Sequence, residues 1–272
     1  MIAPWYLRWE NSPSSSNTLT CGCRAVESHL MRIRFVQEVD STQRVAIEWV
    51  QQNRREWDAI CAEHQTAGRG RLGSAWYDEP GASLLVSIIL WDVPLPNPPG
   101  LLGVMAAIAT AETLQATFAS LQVQLKYPND LMVRGRKLGG VLVEIVESVA
   151  VVGIGVNLTQ RCFPEALRER AISVWQALEP APPVEMQSLR APLIKQIGAR
   201  LKQLTAEVSQ TGTASLYTLW QSRDVTPRRL YRVLDLPDQP IATALQVEPD
   251  FRLRLRLPDG SEYSTYLVHG LS

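Results

Sequence analysis

The chain has 272 residues, 46% hydrophobic and 20% charged, with 27 Lys and Arg against 27 Asp and Glu. This length suits one large domain, or a large and a small one, around a real core; the balanced charge gives no global field for nucleic acid, and the ordinary charged fraction argues against wholesale disorder. No apolar run is long enough for a bilayer span, no secretory-type leader is visible, and four cysteines are too few for a disulfide framework, so we expect a cytoplasmic protein with free thiols and neither nucleic-acid nor membrane partners.

In chain order, Trp5, Tyr6, Leu7 and Trp9 precede a low-complexity run from Asn11 to Thr18. Such composition has little core-forming power. Residues 1–30 are therefore expected to be a poorly structured extension, with Met31 as a candidate native start. The segment is too short for a helix-turn-helix and lacks two successive helical patterns. Residues 33–36 alternate as a strand does. Asp40-Ser41-Thr42 then leads a helical pattern with Val45, Ala46, Trp49 and Val50 on one face. Ser41 or Thr42 suits its N-cap.

A short strand at 59–62 feeds the run Gln65-Thr66-Ala67-Gly68-Arg69-Gly70-Arg71-Leu72-Gly73. Glycines at this density permit positive φ and close approach of a ligand to the main chain. Free N–H groups in such a loop can form an anion-binding concavity, and Arg69 and Arg71 add fixed positive charge. Gln65 offers both donor and acceptor, suited to a urea-like group. Trp76 suits either the wall of a ring-shaped ligand or simple packing. The apolar stretch 83–90 reads as a buried strand, and the proline-rich 91–100 as a surface loop. Residues 101–121 show helical spacing, with Leu102, Met105, Ala106, Ala109, Thr113 and Ala116 near one stripe.

Residues 123–125 are expected to form a strand that delivers Lys126-Tyr127-Pro128-Asn129-Asp130. Asn129 and Asp130 suit a strand-ending turn as well as a ligand site. A β-hairpin is expected from 131–133, turning at Arg134-Gly135-Arg136 into Lys137 to Ile145. Lys137 at its base is followed by Gly139 and Gly140, which allow close backbone approach. Residues 149–155 form another buried strand, and Asn157 lies at its end.

These stretches occur in order across about residues 36–160. Ser-Thr at 41–42, Gly-Arg-Gly-Arg at 68–71, Lys-x-Pro-Asn-Asp-Leu at 126–131, and Lys-Leu-Gly-Gly-x-Leu-x-Glu at 137–144 together resemble the biotin–protein ligases. The resemblance implies an α+β catalytic domain of the class II aminoacyl-tRNA synthetase and biotin ligase type, a mixed sheet flanked by helices, over residues 31–222. It also implies a small SH3-like β-barrel over 223–272. The form implied has no N-terminal DNA-binding domain.

Carried over residue by residue, the resemblance gives biotin contacts to Ser41, Thr42, Gln43, Gln65, Gly68, Arg69, Gly70, Arg71, Trp76, Lys137 and Gly140. The family often has Asn where this chain has Gln43. Arg71, Lys126, Asn129, Asp130, Lys137 and Asn157 would face ATP, Asp130 would hold Mg²⁺, and Lys137, Arg69 and Arg71 would carry the catalysis. The implied reaction makes biotinyl-5′-AMP and passes biotin to a lysine of the biotin carboxyl carrier protein of acetyl-CoA carboxylase. The enzyme would be a monomer or a homodimer. A lipoate- or octanoate-handling relative and a non-catalytic biotin sensor are the rival readings.

The remainder is less specific. Residues 179–183 read as a loop. Leu189, Leu193, Ile197, Leu201 and Leu204 share a helical stripe, a short helix follows at 216–220, and four or five short strands from 230 to 268 indicate a small β unit. Residues 251–257 alternate leucine with arginine, which places the arginines on a solvated face. The glycine-rich strand usual in the family's small barrel is not evident.

Overall fold

The computed structural model describes residues 31–178 and 187–271. The expected extension over 1–30 and the loop at 179–183 lie outside the described residues. In chain order the elements are β1 (Ile33–Val39), α1 (Thr42–Gln51), β2 (Ala59–Gln65), β3 (Ser83–Leu90), α2 (Leu101–Thr117), β4 (Gln124–Lys126), β5 (Asp130–Val133), β6 (Arg136–Val146) and β7 (Val149–Asn157). Then come α3 (Glu165–Arg168), α4 (Val174–Ala177), α5 (Arg190–Thr211), α6 (Ala214–Gln221), β8 (Leu230–Val233), β9 (Ile241–Val247), β10 (Leu253–Arg256), β11 (Glu262–Thr265) and β12 (Val268–Gly270).

The first seven strands make one mixed sheet in the order β1-β2-β3-β7-β6-β5-β4. β1 and β2 are parallel, joined by a crossover that carries α1, and the other neighbours are antiparallel. Both faces of the sheet's centre are covered, so β3 is buried along its whole length and its sequence is almost continuously apolar. The period of two sends Leu84, Val86, Ile88 and Leu90 into the main core with α2 and α5. Ile89 and Val151 go to the opposite face, under Ala46, Trp49 and Val50 of α1.

Helix α2 departs from the one-sided stripe expected of it. It is buried almost all round, from Leu101 to Leu114, because the sheet lies on one side and α5 on the other. It also stops at Thr117, earlier than 121, where Phe118 takes non-helical dihedrals. Helix α5 runs beyond the expected 204 to Thr211 and ends on Gly212, whose φ of 77° suits a residue without a Cβ. The four-residue helices α3 and α4 were not expected, being too short to show a period.

β8 to β12 form a second, wholly antiparallel sheet in the order β11-β10-β9-β8-β12. The single strand expected at 263–268 is two, β11 and β12. Leu253 and Leu255 are fully buried, while Arg252 pairs with Asp250 at 2.7 Å and Arg256 with Glu262 at 3.4 Å. The arginine face is thus a solvated, paired surface. An aromatic cluster joins this sheet to the larger one: Trp220 meets Tyr127 and Phe251 edge-on at 6.1 and 6.2 Å. Tyr127 OH donates to the Phe251 carbonyl at 2.9 Å, and Tyr231 OH donates to the Tyr127 carbonyl at 2.8 Å.

Leu102 is fully buried within α2. Leu102→Ala should cost about 2–5 kcal/mol of unfolding free energy, the range for truncating a core leucine. Urea denaturation measures it; a loss under about 1 kcal/mol would show that α2 is not packed on both sides.

Candidate active site

The face of the large sheet that α1 covers only in part opens beyond the start of that helix into a cavity of about 480 Å³. This lies within the range of small-molecule sites. Strand alternation places Ser87, Gly153, Gly155 and Gly140 on its floor, where the near absence of side chains creates the space. The floor is filled from above by Trp76. A Cβ on Gly155 would lie 2.7 Å from the Trp76 indole, so the ring rests directly on the β7 backbone. Its indole nitrogen is buried without a hydrogen-bond partner.

Trp76 comes from the glycine run, which is a folded flap. Trp76 N donates to the Gly68 carbonyl at 2.9 Å and Gly70 N to the Ser74 carbonyl at 2.7 Å, so the chain doubles back on itself. The tip needs positive φ at Leu72 (54°) and Gly73 (74°). Arg69 leaves the flap to meet Glu144 of β6 at 3.2 Å. Arg71 reaches to β12 and donates to the Val268 carbonyl at 3.1 Å. Burial lowers the Arg71 pKa, opposed by Tyr127, Asp130 and Tyr231; a guanidinium remains charged in such a setting.

At the opposite end lies a buried polar network. Ser41 occupies the N-cap position of α1 but makes no capping hydrogen bond through its side chain. Thr42 N and Thr42 Oγ1 stand 2.7 and 3.0 Å from Gln65 Oε1, and Thr42 Oγ1 lies 3.0 Å from Ser87 Oγ. Ser87 Oγ donates to Gln43 Oε1 at 2.9 Å, and Gln43 Nε2 donates to the Val151 carbonyl at 3.1 Å. The Gln43 amide therefore has a protein partner at each end, and the residue also lines the cavity.

The cationic end is built by a β-bulge. Met132 pairs with Lys137 and Leu131 with Gly139, leaving Leu138 as the extra residue on β6. Leu138 drops into the core, and Lys137 and Gly140 end on the same, cavity-facing side although three residues apart. Lys137 Nζ is 2.6 Å from Asp130 Oδ1 and Lys126 Nζ is 3.6 Å from Asp130 Oδ2. Lys126 is almost completely buried, and desolvation lowers its pKa against the opposing pull of Asp130. Lys137 N donates to the Arg170 carbonyl at 2.7 Å, which fixes the backbone below the bulge.

Every residue expected to bind ligand lines this one cavity except Gly68, which lies in the flap behind Trp76. Two expected nucleotide contacts also hydrogen-bond within the protein. The Asn129 side chain donates to the Val141 carbonyl, and Asn157 Nδ2 to the Ile172 carbonyl at 3.2 Å. Their amides brace the walls. Sequence reasoning missed two further walls: Phe163, Leu167 and Ala171 beside α3, and Arg229, His269 and Gly270 from the second sheet. Residues so far from the motifs, in segments without a period, leave no local signal.

Among the described residues no group of three His, Cys, Asp or Glu side chains could hold an ion, and the Asp130 carboxylate is shared by two ammonium groups. Mg²⁺ is held by one or two carboxylates together with substrate phosphates, and Asp130 is a carboxylate at the cationic end of the cavity.

Residues 35–160, which supply most of this cavity, match the biotin/lipoate A/B protein ligase family. The chain is also similar to the bifunctional ligase/repressor BirA of Bacillus spizizenii, 37% identical over 148 residues, or 51% of this chain and 45% of that protein. The biotin–[acetyl-CoA-carboxylase] ligase of Mycobacterium tuberculosis is 33% identical over 147 residues, 53% of this chain and 54% of that one. The chain thus spans about half the length of the curated relatives it matches. The fold is shared more widely: the Aquifex aeolicus biotin protein ligase, solved with biotin and ATP, superposes with a TM-score of 0.69 over 88% of this chain and 98% of its own, at 21% identity.

A side chain at Gly155 would enter the space of the Trp76 ring. Gly155→Val should therefore release the flap and raise amide exchange across residues 68–76 by about tenfold or more, with strands β3 and β7 still protected. Unchanged exchange in the flap would show that Trp76 does not anchor it.

Proposed function

We propose that the chain is a biotin–protein ligase, activating biotin with ATP and transferring it to a carrier-protein lysine. The observation that carries this reading is the polarity of one cavity. A neutral hydrogen-bonding end at Thr42 and Gln65 is joined, along a cavity walled by the Trp76 indole, to a cluster of Lys126, Lys137 and Arg71. That arrangement suits a ligand with a urea-like head, an apolar body and a terminal carboxylate, set against a nucleotide's phosphates.

In the first half-reaction a biotin carboxylate oxygen attacks the α-phosphorus of ATP. A new P–O bond forms, the bond to the β-phosphate oxygen breaks, and pyrophosphate leaves. The main electrostatic problem is the approach of two anions, and Lys137 answers it. Its ammonium, 41% exposed and on a flexible stem, can turn from Asp130 to bridge carboxylate and phosphate. Arg71 and Lys126 neutralise charge that develops on the phosphate oxygens. Mg²⁺ enters as part of the nucleotide substrate, and no step here depends on a protein-held ion. In the second half-reaction the neutral ε-amine of a carrier lysine attacks the acyl carbon, the bond to the phosphate oxygen breaks, AMP departs and the amine loses a proton. The closed flap keeps water from the mixed anhydride between the two steps. No protein nucleophile is required; positioning and charge suffice. The acceptor proposed is the biotin carboxyl carrier protein of acetyl-CoA carboxylase.

ATP–pyrophosphate exchange with biotin, lipoate and octanoate tests the reading: exchange is expected with biotin, and exchange only with lipoate or octanoate would transfer the chain to the sister activities. Biotin binding without exchange would make it a sensor. Lys137→Ala should slow exchange by on the order of 10²–10³, the scale of one lost transition-state charge contact. Unchanged exchange in this variant would remove Lys137 from the mechanism.

A further inference from the structure

His64 and Asp78 stand at the two roots of the flap and are unused by the mechanism above. The Asp78 side chain is only 2% exposed. Its Oδ2 lies 2.9 Å from His64 Nδ1 and accepts from Gln65 N at 3.4 Å. A carboxylate is acceptor-only, so the His64 ring nitrogen donates. Burying a carboxylate is costly unless it accepts hydrogen bonds, and bonds to a charged acceptor are the stronger kind. One buried oxygen thus clamps residue 78, where the flap ends, to residues 64 and 65, where it begins.

The clamp acts on a ligand-facing group. Gln65 Oε1 is held by Thr42 N and Thr42 Oγ1 at 2.7 and 3.0 Å, so its carbonyl end is engaged by the protein. Its Nε2 is the end left to donate, and Gln65 lines the cavity beside Gly68, whose missing side chain leaves room for it. Fixing the Gln65 backbone and the far root of the flap together sets where that Nε2 points and where Trp76 lies. We propose that Asp78, with His64, is a positioning residue for the urea-like head of the acid substrate, acting through Gln65 and the flap. It rests on the ligase reading above and adds to it a control on substrate binding as distinct from phosphoryl chemistry.

The test compares the full chain with Asp78→Ala, Asp78→Asn and His64→Leu, by calorimetric biotin binding and by exchange kinetics. Asp78→Ala should raise the Kd and KM for biotin about tenfold with kcat within about twofold, the pattern of lost uniform binding. Asp78→Asn keeps an oxygen acceptor and should recover most of the affinity. His64→Leu leaves the hold on Gln65 N and should raise KM by roughly threefold. A purely structural role would lower kcat through a smaller folded fraction and leave KM alone; that result, or an Asp78→Ala KM within about twofold of the unmodified chain, overturns the proposal. Should Asp78→Ala fail to fold, His64→Leu decides, and an unchanged KM overturns the proposal. Absence of biotin binding by the unmodified chain overturns the ligase reading itself, whereas equal binding by chain and variants overturns the positioning role alone.

Discussion

Two ammonium groups, one of them buried, cannot sit close together without an anion between them. Asp130 provides that anion, with Lys137 on one oxygen and Lys126 on the other. Desolvation already depresses the Lys126 pKa, and Asp130 is the main influence opposing it. The carboxylate therefore keeps positive charge concentrated where a polyanion would arrive, and it holds that charge without a ligand. Its position follows from the pairing of Asp130 with Gly140 across β5 and β6, which depends in turn on the bulge at Leu138. Strand register, core packing of one leucine and cavity electrostatics are in this sense a single constraint.

The other half of the site rests on absence. Glycines at 140, 153 and 155 leave a strip of sheet without side chains, and Gln43 and Trp76 occupy the space over 153 and 155. A sheet face that is elsewhere closed by α1 is thus closed here by one amide and one indole, with the cavity beside them. The flap brings the indole, and the hydrogen-bond network around Thr42 brings the polar end.

Much of this was legible beforehand. The strand at 83–90, the hairpin turning at Gly135 and the helical stripe from Leu193 to Leu204 follow from strong periodicity and from turn residues, and the motifs located the residues that meet in the cavity. What was not legible shares a cause. Sequence gives residue type and spacing but not which hydrogen bonds a side chain makes within the protein, so the partners of the Gln43, Asn129 and Asn157 amides could not be read from it. The all-round burial of α2 depends on α5, distant in the chain, and the bulge at Leu138 is a pairing irregularity that no periodic pattern announces. Arg229 and His269 reach the site only because the second sheet is docked through Tyr127 and Trp220.

The hydrogen bond from Arg71 to the Val268 carbonyl spans 197 residues. During synthesis the flap emerges long before the strand that receives its arginine. The large sheet's first strands can pair from nearby segments, but the roof of the cavity acquires this tether only when β12 has been made and docked. Contacts of such separation form late, after the entropy of closing the intervening chain has been overcome. A nascent chain would therefore carry the floor and the lysines of the cavity for some time before its flap was fastened, so a roofed cavity would be among the last properties the molecule gains.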